Sequence, residues 1–147
     1  MKTLWIAGGD RADPTLAAWI ELRERVLRRP LGLTYSEEDL AAEQGDRHLV
    51  AFDGDFLIGG LIVREKGQDP GVWKIRQVAV DPSWQEKGIG RALMIAAEAA
   101  ARETGITQLV LNSRETVGEF YKRLGYIAEG DRFYEVGIPH RRMRLCL

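Results

Sequence analysis

The sequence predicts an α/β (α+β) fold, a mixed sheet with helices on both faces, in one domain over residues 1–147. Three observations carry that expectation. Segments of strand character and of helical periodicity follow one another in the order β-α-α-β-β-β-α-β-α-β-β. Apolar periodicity runs nearly to the last residue, without an internal repeat, low-complexity tract or Pro/Ser-rich linker. Hydrophobic residues make up 45% and charged residues 29%, a balance that excludes a disordered or fibrous chain.

Leu4 to Ala7 reads as a short first strand. From Pro14 the pattern turns helical, with Leu16, Trp19, Ile20, Arg23, Val26 and Leu27 recurring at steps of three and four. Asp13 suits the N-cap, and Pro14 the first helical position, where its missing N–H costs nothing. Arg28-Arg29-Pro30-Leu31-Gly32 ends this helix, and Ser36 with Asp39 has capping-box spacing for a second. His48–Phe52 and Phe56–Val63 read as a hairpin around Asp53-Gly54-Asp55. Val72–Val80, rich in β-branched residues, is stopped by Asp81-Pro82.

A long helix is expected over Ile89–Glu103, burying Ile89, Leu93, Ala96, Ala97 and Ala100 and ending before Gly105. Leu109–Asn112 is a continuous apolar strand of the kind covered on both faces. Thr116–Leu124 forms the last helix. Tyr126–Val136 and His140–Leu147 form the last strands, joined through Gly137-Ile138-Pro139.

Charge and composition narrow the function. Lys and Arg total 21 against 22 Asp and Glu, which removes the electrostatic case for nucleic-acid or membrane-surface binding. The longest apolar run, Phe56–Val63, is broken by Gly59-Gly60 and falls short of a membrane span. Cys146, the single cysteine, can form neither an internal disulfide nor a thiolate zinc site. It is expected to be a small packed side chain in a cytoplasmic protein without a metal.

The chemistry concentrates in Val78-Ala79-Val80-Asp81-Pro82-Ser83-Trp84-Gln85-Glu86-Lys87-Gly88-Ile89-Gly90-Arg91. A strand leads through a glycine-bearing turn into a long helix, whose first amides are unpaired and carry the positive end of the macrodipole. Gly88 and Gly90 clear the approach to the backbone, Lys87 and Arg91 add cationic reach, and the whole suits a phosphate or pyrophosphate. A nucleotide P-loop would need Lys then Ser or Thr after its last glycine, which is absent. A dinucleotide fingerprint would need glycine at Leu93 and an acid where Asn112 stands. A loop that merely turns the chain stays open on the glycines alone.

Gln85-x-x-Gly88-x-Gly90 resembles the pyrophosphate motif of the GNAT family of N-acetyltransferases, Gln/Arg-x-x-Gly-x-Gly/Ala. Phe120-Tyr121-Lys122-Arg123-Leu124-Gly125-Tyr126 is similar to that family's Phe-Tyr-x-x-x-Gly-Phe segment. The tail from Phe133 to Met143 resembles the ending of one bacterial subgroup, and the element order also matches. The resemblance implies the GNAT acyl-CoA N-acyltransferase fold, with a six- to seven-stranded sheet whose fourth and fifth strands splay around the thioester.

It also implies direct acetyl transfer from acetyl-CoA to an amine acceptor in a ternary complex. Backbone groups of Val78 and Val80 would bind the pantetheine arm, and those near Ala79 the oxyanion. Amides of Gln85, Glu86, Lys87, Gly88, Ile89, Gly90 and Arg91 would hold the pyrophosphate, and Asn112 would contact the pantetheine or acceptor side. The Tyr121 hydroxyl would protonate or hydrogen-bond the leaving thiolate, although periodicity alone reads Tyr121 as a core aromatic beside Phe120.

Some family members carry a glutamate base on the fourth strand; the corresponding position here is Lys74, which leaves the base unassigned. His140 is the candidate as an imidazole, the side-chain type suited to proton transfer near neutral pH, with Glu135 nearby; Glu43, Glu119 and a water relay are substitutes. His48 is expected to be structural. The run Arg23, Arg25, Arg28 and Arg29 lies where the family lines its acceptor pocket, and reads otherwise as a solvated helix face. The acceptor's identity, the acyl chain, homodimerisation and a non-catalytic acyl-CoA-sensing role all stay open.

Overall fold

The computed structural model describes residues 1–67 and 69–147. Their order is β1 (Lys2–Ala7), α1 (Pro14–Arg23), α2 (Glu37–Ala41), β2 (Arg47–Asp53), β3 (Phe56–Arg64), β4 (Val72–Val80), α3 (Ile89–Glu103), β5 (Gln108–Arg114), α4 (Gly118–Arg123), β6 (Ile127–Glu135) and β7 (Ile138–Cys146). The strands form one seven-stranded sheet in the order β1-β2-β3-β4-β5-β7-β6. Only β4 and β5 pair in parallel; the other neighbours are antiparallel.

Local chemistry sets the helix starts. The Asp13 carboxylate accepts from the Thr15 N–H at 2.9 Å, ahead of Pro14. At α2 both halves of the capping box form: the Asp39 N–H donates to Ser36 Oγ at 3.0 Å and the Ser36 N–H to Asp39 Oδ2 at 2.9 Å. The helical path does end within the expected Arg28–Gly32 break, but α1 reaches it in steps. It loosens into a π-turn over Glu24–Arg28, tightens into a 3₁₀ turn over Arg29–Leu31, and ends at Gly32 with φ 72°.

Two apolar layers sandwich the sheet. On one side α3 buries Leu93, Met94, Ala97 and Ala101 against Leu49, Leu61, Trp73, Ile75 and Leu111. The expected stripe is turned slightly, so Met94 and Ala101 are fully buried while Ala96 and Ala100 are only partly so. On the other side α1 buries Leu16, Trp19 and Leu22 against Val50, Ile62 and Ala79. Each buried Leu, Ile, Val or Met among them contributes roughly 1.5–3 kcal/mol. Close approach of α1 depends on Gly60, where a Cβ would lie 2.7 Å from the Leu49 carbonyl and 2.9 Å from the Trp19 ring.

Two departures from the sequence pattern shape the site. The β3–β4 register passes from Gly60↔Ala79 to Ile62↔Arg76, so β4 carries one extra residue, with Gln77 at φ 55°. The bulge reverses the alternation: Ala79 packs under α1, whereas Val78 and Val80 pack with the α3 layer. The last hairpin turns at Val136-Gly137, with φ 48° and 78°, rather than through Gly137-Ile138-Pro139. Positive φ at both central residues gives the turn a twist that matches the strands. Pro139 therefore lies inside β7 opposite Tyr134, tolerated because the β5–β7 ladder reaches only to His140.

Candidate active site

The β4–β5 ladder runs from Val72↔Gln108 to Ile75↔Leu111 and stops. Beyond it β4 continues beside β3 to Val80, and β5 continues beside β7 to Arg114. The two strands thus part company at their C-terminal halves, and a cleft of about 1170 Å³ opens there. Val78, Ala79, Val80, Gln85, Glu86, Gly88, Ile89, Gly90, Arg91, Asn112, Tyr121 and His140 all line it. Lys87 does not: its ammonium lies 5.2 Å from the centroid of the Trp84 ring.

One end of the cleft is the start of α3. Asp81 accepts from the Ser83 N–H at 2.9 Å and holds the 3₁₀ turn Pro82–Trp84. Gln85 Nε2 donates to the Val80 carbonyl at 3.1 Å, pinning the loop to the strand it leaves. Glu86 and Gly88 then take φ 63° and 80°, and Ala92 makes the first intrahelical bond, to the Gly88 carbonyl at 3.0 Å. Among the described residues no side chain caps this helix, so the amides of Ile89, Gly90 and Arg91 point forward without an intrahelical acceptor. A Cβ on Gly88 would meet nothing within 4 Å; backbone conformation, not crowding, is what glycine serves there. Open, partly positive amides in a wide space suit an anionic phosphate.

α4 lies against this helix start, where a Cβ on Gly90 would come within 3.3 Å of the Phe120 ring, so Gly90 makes room for that ring rather than for a ligand. Tyr121 is buried, packed edge-on against Phe120 at 5.0 Å and Tyr126 at 5.8 Å between ring centroids. Its hydroxyl makes no hydrogen bond among the described residues, and burial pushes its pKa well above the usual phenol value. Asn112, on β5, brings Nδ2 to 3.5 Å from Glu135 Oε1.

The remaining lining comes from the face of the sheet that carries α1. Arg64 of β3 and Lys74 of β4 stand opposite each other, with Arg76 two residues on and Arg28 above them. His140 is buried, and its Nδ1 lies 2.8 Å from the Ile138 carbonyl. A carbonyl only accepts, so Nδ1 carries a proton and a neutral ring keeps its lone pair on Nε2, 3.6 Å from Glu135 Oε2. Phe133 stacks on the ring at 5.9 Å and fixes its plane.

The other sequence candidates lie elsewhere. Glu43 is buried, both its oxygens accepting from Arg23 Nη1 at 2.7 and 2.8 Å, and Arg23 is wholly enclosed rather than on a solvated face. Glu119 is exposed beside Lys122 at 3.4 Å. Arg25 pairs with Asp81 at 3.1 Å and Arg29 with Glu21 at 3.3 Å, leaving Arg28 as the one of the four that lines the cleft. His48 accepts from Trp19 Nε1 at 2.9 Å, and burial pulls its pKa down to about 4. Cys146 is exposed at the end of β7, not packed as expected.

Sequence reasoning missed the clamp on the bulge. The Tyr35 hydroxyl donates to Gln77 Oε1 at 2.5 Å, and its ring lies between the guanidinium groups of Arg23 and Arg28, at 5.1 and 4.9 Å. The only advance signal was Arg23 itself, in phase with Leu16 and Trp19 on the buried stripe of α1.

The comparisons with known proteins agree with this geometry. The family model described as acetyltransferase (GNAT) domain matches residues 33–147. A Bacillus subtilis protein named as the uncharacterized N-acetyltransferase YjcF is 31% identical over 123 residues, 83% of this chain and 86% of its own length. The crystal structure of an acyl-CoA N-acyltransferase from Pseudomonas aeruginosa matches with a TM-score of 0.82 at 25% identity, covering 97% of each chain. A Bacillus subtilis acetyltransferase in complex with CoA shares the fold, with a TM-score of 0.72 at 20% identity over 99% of each chain. With the parted strands, the uncapped helix and the matched family model in agreement, this chain belongs to the GNAT acetyltransferase family.

Proposed function

We propose that this acetyltransferase moves the acetyl group of acetyl-CoA to a primary amine by direct attack, with both substrates in the cleft. The observation that carries the reading is the β4–β5 ladder that ends at Ile75↔Leu111, beside the open amides that begin α3. An extended pantetheine arm fits a strand whose partner has left it, and a diphosphate fits the helix start. The CoA complex of the Bacillus subtilis fold relative supports the same donor.

The amide groups of Ile89, Gly90 and Arg91, with the loop from Gln85 to Gly88, hold the diphosphate; Val78 and Val80 offer backbone groups to the arm. The amine nitrogen forms a bond to the thioester carbon, the carbon–sulfur bond breaks, and the thiolate leaves with the electron pair. Backbone N–H groups near Ala79 stabilise the oxyanion between these steps. The Tyr121 hydroxyl donates to the thiolate; its raised pKa keeps it protonated and makes a strong hydrogen bond the favoured form of help over complete transfer. His140 Nε2, with Glu135 beside it, takes the proton the amine gives up.

The test joins calorimetry with a thiol-release assay. Acetyl-CoA binding is expected, with thiol appearing only when a primary amine is added. A chain that binds no acetyl-CoA, or that releases thiol no faster with amines than without, contradicts the proposal.

A further inference from the structure

Four cations share one region of the cleft, and the carboxylates there do not match them. Arg64 takes both oxygens of Asp46, at 3.1 and 3.0 Å, and so uses that charge. Arg76 is left 3.8 Å from the same carboxylate, with a buried Nη1 that lacks a hydrogen-bond partner. Arg28 rests on the Tyr35 ring and makes no ion pair among the described residues. Lys74 is half-buried, and among the described residues it forms neither an ion pair nor a hydrogen bond. Glu135, the carboxylate that faces this group, stands against His140.

We infer that the acceptor is an amine that also carries an anionic group, carboxylate or phosphate, bound by Lys74 with Arg76 and Arg28. The inference rests on the transferase reading above and names the class of substrate for it. Half-buried cations short of counter-ions, one with none and one sharing a carboxylate, are costly, and a bound anion offsets that cost. Burial first, and then Arg76, hold Lys74 below the usual lysine range, as expected of an ammonium short of negative neighbours.

The phosphates of CoA are not the missing anion. Lys74 lies six residues before Val80 on β4, about 20 Å of strand from the loop that opens α3. The same field acts on the amine. It disfavours an ammonium ion at the reacting end while attracting the anion at the other, so the bound acceptor is biased toward its neutral, nucleophilic form. A chain with a lysine at this position therefore depends less on a strong base, and acetylation leaves the anchoring charge in place.

The experiment compares matched acceptors: β-alanine against propylamine, and O-phosphoethanolamine against ethanolamine. The charged member of at least one pair is expected to win by on the order of tenfold in kcat/KM, as for one partly desolvated charge pair. The two pairs separate carboxylate from phosphate. Lys74→Met, which keeps the stem, removes the preference; Lys74→Glu reverses it and favours spermidine. Acetyl-CoA affinity by calorimetry stays within about twofold in both variants.

Equal use of charged and neutral amines by the wild type, or an unchanged ratio in both variants, overturns the inference and leaves acetyl transfer standing. If acetyl-CoA binds but no amine releases thiol, the transferase reading fails instead. Calorimetry of O-phosphoethanolamine with the CoA-bound wild type and with Lys74→Glu then decides alone: binding lost in the variant upholds the anion site, and no binding to either removes it.

Discussion

Tyr121→Phe tests the proposed chemistry with little structural disturbance. The ring sits edge-on to Phe120 and Tyr126, at 5.0 and 5.8 Å, and phenylalanine keeps both contacts. The lost hydroxyl has no hydrogen-bonding partner among the described residues, so no buried group is orphaned and stability should stay within about 0.5 kcal/mol. What disappears is a hydrogen bond to a developing thiolate, worth about 1.5–3 kcal/mol. That corresponds to a fall in kcat of roughly ten- to 150-fold.

The assay is thiol release at saturation in both substrates, with acetyl-CoA affinity measured separately and expected within about twofold. Because burial raises the phenol pKa, the variant should lower the pH profile without changing its shape through neutral pH. A kcat within about threefold of wild type would refute the role given to this hydroxyl.

Three further outcomes follow from the structure. Gly88→Val forces a β-branched residue to φ 80° at the mouth of α3 and should weaken acetyl-CoA binding at least tenfold in calorimetry; retained affinity would disconnect the loop from the diphosphate. His48, with its folded pKa near 4 against an ordinary 6.5, is neutral in the fold at pH 7. Its contribution is complete above pH 6.5 and is lost as pH falls toward 4, because the unfolded chain takes the proton first. Urea melts at pH 7 and 4.5 should show about 2–3 kcal/mol of this loss, and His48→Gln should flatten it. Glu43→Gln strands the enclosed Arg23 guanidinium without its anion and should cost about 3–5 kcal/mol in denaturant titration; a cost under about 1 kcal/mol would mean that Arg23 finds another partner.

The parts of the molecule governed by local rules were legible in the sequence. Asp13 and Ser36 announce their helices because a cap is a contact over two or three residues, and α3 begins and ends where its glycines say. The loop Gln85–Gly90 was legible because both the turn and the missing cap are written in consecutive residues. The bulge was not, since Gln77 has no residue-type signature for positive φ and is held there by Tyr35, 42 positions away in sequence. Nor was the burial of Arg23, which depends on Glu43 from the next helical region and on two aromatic rings. The unmatched cations of the cleft needed the sheet register, which alone sets Arg64 opposite Lys74.

A free strand edge is usually a hazard, open to any extended chain that drifts past. Here the exposed stretch of β4 lies inside a fork whose prongs are joined at Ile75↔Leu111, so a flat polypeptide sheet has no way to dock against it. The fork therefore keeps the unpaired edge from the strand-to-strand aggregation that an unguarded one would invite.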